Sequence, residues 1–300
     1  MMNATRAQIV QSLNSRHLLF VGGKGGVGKT SISQAWALQL SRAGHKTLWI
    51  SIEDPLWSGE SFREISPLLT HLNLTPANAF EEYIALKTKV PGLASLFVRN
   101  RLIQGLAKAA PGVHELVLLG KIYYELRNYA RVVVDLPATG HGLAMFHATK
   151  NFAELFRSGK AREDADKMLN VFRDQAQCGF LLVSLPEEMP LQETLELDAA
   201  LRALFPDNAG EFLCNRLFPK IEGWDQEGDP DSWISPLARD ASDYCRKRAC
   251  LEHANLALWR ERNHRYAEIP YFPPPTEGAH LRLTEELCSL MSSWAKETPA

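Results

Sequence analysis

The stretch Gly23-Lys24-Gly25-Gly26-Val27-Gly28-Lys29-Thr30 constrains this chain more than any other feature. It fits G-x-x-x-x-G-K-[ST] and follows the apolar run Leu-Leu-Phe-Val. It also opens a predicted helix over 30–43, with Ile32, Ala35, Trp36, Leu40 and Ala43 on one stripe and Gly44 placed to end it. Strand, glycine loop and helix in that order favour an α/β fold built on a parallel sheet. The residue types carry the chemistry. Glycines let the backbone wrap closely around phosphates, and a helix N-terminus offers unpaired N–H groups and a positive dipole. Lys29 is expected on the β- and γ-phosphates and the Thr30 hydroxyl on Mg²⁺. Loop, strand and helix together favour a bound nucleotide over a bare glycine turn.

The rest of the chain fits that beginning. Short apolar runs at 17–21, 46–52, 130–135, 179–185, 211–215 and 267–270 read as strands separated by amphipathic helices. The expected architecture is a mostly parallel sheet flanked by helices, forming one domain over residues 1–300. Residues 60–129 show three helical patterns and no convincing strand, and 143–177 show one or two more. Seventy strandless residues are too many for a loop, so both segments are expected to form one helical subdomain beside the sheet. Residues 221–235, with five acids, two glycines and a proline, read as a mobile loop. Asp135 ends the run Arg-Val-Val-Val-Asp beside the phosphate loop. A carboxylate there is placed to hold Mg²⁺ through water, or else to cap the next helix.

Charge and cysteine usage narrow the classes. Thirty-three basic against 35 acidic side chains leave a net charge of -2, which argues against nucleic acid as a partner. No apolar run approaches the roughly 18 residues of a membrane span, and the N-terminus lacks a leader-like apolar core. No stable membrane insertion is expected. The five cysteines are odd in number and scattered, as expected of reduced thiols in a cytoplasmic protein.

The spelling GKGGVGKT, with Lys24 directly after the first glycine, resembles the deviant Walker A loop of one class of P-loop ATPases. That class includes the ParA and MinD positioning ATPases, nitrogenase iron protein, and the ArsA and tail-anchored-protein targeting ATPases. The segment Pro137-Ala138-Thr139-Gly140-His141 resembles the switch II of the ArsA and targeting members, and the Thr-Gly-His triplet separates it from ParA and MinD. Ser51-Ile52-Glu53-Asp54-Pro55 resembles their switch I, although Leu56 and Trp57 replace Ala-His. Pro111-Gly112-Val113-His114-Glu115 resembles their P-G-I-D-E helix start. Pro186-Glu187, Glu193-Thr194 and Asn215 follow in the family's order.

The resemblance spans about residues 17–290 and implies an Mg²⁺-dependent ATPase of the bacterial ArsA-like branch. It implies a nucleotide site over Gly23, Lys24, Gly25, Gly26, Val27, Gly28, Lys29, Thr30 and Ser31, with Asn215 on the adenine. Asp54 would orient the attacking water, with Glu53 as the alternative carboxylate. Lys24 would reach across a dimer interface, and Asp135, Thr139, Gly140 and His141 would form the γ-phosphate switch. The chain is then expected as a homodimer, or a heterodimer with a paralogue, carrying or regulating a hydrophobic protein client. A ParA/MinD-like positioning switch is the alternative. An arsenite-pump subunit is disfavoured, because residues 60–177 contain no cysteine for a soft metalloid. Cys245 and Cys250 would project about 140° apart on a helix, so no zinc is expected. The apolar side chains Leu143, Met145, Phe146, Phe152, Leu155, Phe156, Met168, Leu169 and Phe172 are more than one buried stripe needs; most are expected in the subdomain's own core, and the surplus suggests a client surface following switch II. For the face of Leu287, Leu290, Met291 and Trp294 near the C-terminus, core docking is the expected use.

Overall fold

The computed structural model describes residues 2–55, 62–79, 112–155, 159–219, 236–261, 265–272 and 280–296. The segment 221–235 and the side chains of Phe152, Leu155 and Phe156 lie outside that description, as do Leu56, Trp57 and Pro111. The elements run α1 (Met2–Asn14), β1 (Leu18–Gly22), α2 (Lys29–Arg42), β2 (Thr47–Ile52), β3 (Phe62–Ser66) and β4 (Leu69–Leu74). They continue with α3 (Val113–Glu125), β5 (Arg131–Asp135), α4 (Thr139–Leu155), α5 (Lys160–Arg173), β6 (Cys178–Ser184) and α6 (Glu188–Leu204). β7 (Glu211–Leu217), α7 (Pro236–Glu261), β8 (Tyr266–Pro270) and α8 (His280–Lys296) complete the order among the described residues.

The eight strands among the described residues join one sheet in the order β3-β4-β2-β5-β1-β6-β7-β8, parallel except for β3 against β4. β1 lies between β5 and β6, and all five of its residues are buried. Right-handed crossovers place connections that run in opposite directions on opposite faces of a sheet. Accordingly, α2 packs with α1 and α8 against Leu19, Val21, Trp49 and Val183. Helices α3 to α7 contribute to the core on the other face, around Phe20, Ile50, Val134 and Phe180. The helix α2 ends as its sequence predicts. Gly44 takes φ 91°, its N–H reaches the Ser41 carbonyl, and the His45 N–H reaches that of Leu40. These bonds satisfy carbonyls that the last turn would otherwise leave open. Ala43 is the exposed cap residue rather than part of the buried stripe.

One expectation is corrected. Residues 60–129 do contain strands, β3 and β4. β3 is a charged edge strand, exposed along most of its length, which suits an edge that must not recruit another chain. β4 hides its identity because two of its buried residues, His71 and Asn73, are polar. Opposite them in register stand Trp49, whose ring tilts over His71 at 4.3 Å, and Ser51, which hydrogen-bonds both. Of the apolar residues after Thr139-Gly140-His141, Met145, Phe146, Met168, Leu169 and Phe172 are core, as expected for most of that set. Phe146 and Phe172 meet Phe20 edge to face at 5.1 and 5.5 Å, and Met145, Met168 and Leu169 are buried beside them. On α8, Leu287, Met291 and Trp294 are buried in the opposite core, as core docking requires. No helix among the described residues is long and apolar enough to cross a membrane.

Candidate active site

The candidate residues gather where the parallel strands end at their carboxyl termini, the edge at which open α/β sheets bind ligands. The loop after β1 has its shape because three glycines hold positive φ: Gly23 at 147°, Gly26 at 84° and Gly28 at 97°. A Cβ on Gly23 would sit 2.2 Å from the Val183 carbonyl oxygen of β6, and one on Gly28 would sit 2.4 Å from Asn215 Nδ2. No side chain caps α2, so its first-turn N–H groups stay available to an anion. Lys29, in that first turn, is buried and donates from Nζ to the Lys24 carbonyl at 2.9 Å. Burial pulls its pKa down, and the nearby Asp135 carboxylate opposes the shift.

Asp135 ends β5 and accepts a hydrogen bond from Thr30 Oγ1 at 2.5 Å through Oδ2. Its other oxygen, Oδ1, is buried with no hydrogen-bond partner among the described residues. Burial raises this carboxyl to about 6, against the Thr30 hydrogen bond and the Lys29 charge, while the Asp54 charge adds to the rise. Asp54 is thus close enough to be felt at Asp135. Glu53 beside it is exposed, with φ 51°, and turns the chain out of β2. The next segment abuts the loop as well, with the Ala138 Cβ 4.0 Å from a Cβ built on Gly25. Thr139, Gly140 and His141 form the first turn of α4, and His141 is exposed.

Two further contacts frame the loop. Lys24 points to Glu193 of α6, with Nζ 2.6 Å from Oε1, and both side chains are only part buried. Asn215 lies within β7, donates from Nδ2 to the Val27 carbonyl at 2.8 Å, and accepts the Arg216 N–H at 2.9 Å. Here its amide braces the phosphate loop.

Residues 16–160, which carry this loop, Asp54, Asp135 and His141, match the family described as anion-transporting ATPase. The chain is similar to that family over this stretch. That match, together with relatives named as ATPases, supports an ATP hydrolase. The ATPase is similar to ATPase BagA of Mycobacterium tuberculosis, 29% identical over 231 residues that cover 69% of this chain and 67% of that protein. It is similar to ATPase GET3C of Arabidopsis thaliana, 25% identical over 275 residues, or 70% and 69% of the two chains. ATPase GET3 of Mycosarcoma maydis is 29% identical over 249 residues, or 67% and 73%.

The structure brings together Lys29, Thr30, Asp135 and, through its charge, Asp54. Lys24 joins them by its backbone carbonyl, while its side chain turns to Glu193. Sequence reading named Glu193 only for its place in a motif. It missed Asn73 altogether, and the alternation of leucines with polar residues over 69–74 was the signal available. Cys245 and Cys250 both lie on α7, the first partly buried and the second exposed.

Proposed function

We propose that this ATPase hydrolyses Mg²⁺-bound ATP in a site completed by a second subunit, and uses the cycle to carry or regulate a hydrophobic protein client. The observation that carries the hydrolytic part is the Thr30–Asp135 pair with its buried, unpartnered Oδ1. A hard cation accepts oxygen ligands of this kind, so Thr30 would hold Mg²⁺ directly and Asp135 through water. When bound, Mg²⁺ would neutralise charge between the phosphates. Backbone N–H groups from Gly25 to Ser31 would cradle the phosphates, and Lys29 would shed its bond to the Lys24 carbonyl to meet them. Asp54 would orient the attacking water. Its charge is felt at Asp135, whereas Glu53 is exposed, which favours Asp54 between the two carboxylates.

Lys24 would act on the partner's nucleotide after leaving Glu193, with Thr139, Gly140 and His141 sensing the γ-phosphate. Either a homodimer or a pair with a paralogue provides this geometry. Asn215 would read the adenine edge with the donor and acceptor capacity that its two loop contacts leave over. The client role rests on the resemblance of the switch segments. A helical subdomain for it would draw on α3 to α5, in one domain spanning the chain in the cytoplasm.

The test is equilibrium binding of ATP and single-turnover hydrolysis on two variants. Lys29→Ala should lose binding. Asp54→Asn should bind ATP within about twofold of the parent and lose about 100-fold in rate, the scale of a positioned base. Equal losses of affinity in both variants would defeat the assignment. A slow Glu53→Gln beside an active Asp54→Asn would move the role to Glu53.

A further inference from the structure

Asp54 sits just past the end of β2, where strand pairing no longer fixes the backbone. Asn73, on the neighbouring β4, takes over that task. Its Oδ1 accepts the Asp54 N–H at 3.1 Å and its Nδ2 donates to the Asp54 carbonyl at 3.0 Å. One side-chain amide thus engages both backbone groups of one residue, as an added strand would. A third bond, from the Glu53 N–H to the Leu74 carbonyl at 3.0 Å, holds the residue before it. Glu53 has φ 51°, a conformation that non-glycine residues keep only when their surroundings hold it.

The amide is itself held from behind. Ser51 Oγ donates to Asn73 Oδ1 at 3.3 Å and lies 2.8 Å from His71 Nε2. A hydroxyl has one proton. Spent on Asn73, it leaves Ser51 Oγ to accept from a neutral His71 protonated at Nε2. Burial holds His71 at about 4, so the ring is neutral at physiological pH, and this chain of donors is stable there. The carbonyl oxygen of Asn73 then carries two donors, which fixes which end of the amide is which.

We infer that Asn73 is a positioning residue for hydrolysis: through this clasp it sets where the Asp54 carboxylate stands relative to the phosphate loop. The inference rests on the reading of Asp54 given above. Hydrolysis is sensitive to such placement, because an error near 1 Å in a reacting group costs about 100-fold. The Asn73 amide is buried and faces Asp54's backbone, so its removal should spare the contacts between loop and nucleotide.

The experiment is a mutant cycle on the full chain, with single-turnover hydrolysis and ATP affinity measured side by side. Asn73→Ala should slow hydrolysis about tenfold and leave the Kd for ATP within about twofold. Placed on Asp54→Asn, the same substitution should slow the residual rate no further, since there is no carboxylate left to position. If Asn73→Ala does not fold, Asn73→Asp serves. It keeps an acceptor for the Asp54 N–H but loses the donor, and should show a smaller loss with the same non-additivity. A full rate for Asn73→Ala beside a slow Asp54→Asn would overturn the clasp alone. So would an equal tenfold loss in both backgrounds, or a loss that appears in Kd, since either marks a merely structural residue. A full rate for Asp54→Asn would overturn the water-positioning reading, and the clasp with it.

Discussion

Replacing Gly28 with alanine should destabilise the nucleotide-free protein through two separable terms. Gly28 caps the N-terminus of α2 at φ 97°, and a side chain in a left-handed backbone costs about 1–2 kcal/mol. The second term is steric. The new Cβ would stand 2.4 Å from Asn215 Nδ2, which donates to the Val27 carbonyl at 2.8 Å. Asn215 must therefore swing away, and the abandoned buried groups cost about 1–3 kcal/mol. The sum is about 3 kcal/mol. Gly26 provides the control, since it has φ 84° and nothing within 4 Å of its built Cβ. Gly26→Ala should show only the backbone term, about 1–2 kcal/mol. At roughly 2–4 °C per kcal/mol for a large domain, Tm should fall by about 9 °C for Gly28→Ala and about 4 °C for Gly26→Ala. Urea unfolding without nucleotide supplies the free energies. In an Asn215→Ala background, the cost of Gly28→Ala should drop to that of Gly26→Ala. Equal costs for the two glycines, or no relief from Asn215→Ala, would refute this account of the loop.

If Lys24 acts in trans, mixing Lys24→Ala with Asp54→Asn subunits should restore part of the activity, because the mixed dimer holds one intact composite site. Concentration-independent turnover by a proven monomer would end that idea. Glu193→Gln should free Lys24 from its cis partner and lower the protein concentration for half-maximal activity about threefold, the scale of a part-exposed ion pair. An unchanged concentration profile would show that the pair does not compete with the dimer. His71 should make the fold acid-sensitive. Its folded pKa, near 4, lies below the ordinary 6.5, so its contribution is fully present above 6.5 and is lost as pH falls through 4. The loss amounts to about 3 kcal/mol. Urea unfolding between pH 7 and 4 should show a flatter profile for His71→Gln, and an unaltered profile would refute the assignment.

The sequence alone determined the phosphate loop, the six apolar strands and the helix that follows the loop. Each of these is written in local terms. Glycine is required where φ is positive, as at Gly23, Gly26 and Gly28, and apolar runs are required where strands are covered on both faces. Asp135 was legible for the same reason, as the first carboxylate after an apolar run. Tertiary structure decided the rest. Whether Phe146 and Phe172 formed a surface or a core depended on α4 and α5 lying over Phe20, a contact between segments more than a hundred residues apart. The strand β4 escaped notice because His71 and Asn73 are polar, and a buried polar residue is tolerated only when partners satisfy it. Those partners, Ser51 and the Asp54 backbone, belong to another strand and its exit, about twenty positions away in sequence. The same holds for Lys24, whose side chain finds Glu193 only because α6 passes the loop. Local propensity can be read from neighbours along the chain; satisfaction of a buried donor or charge depends on neighbours in space.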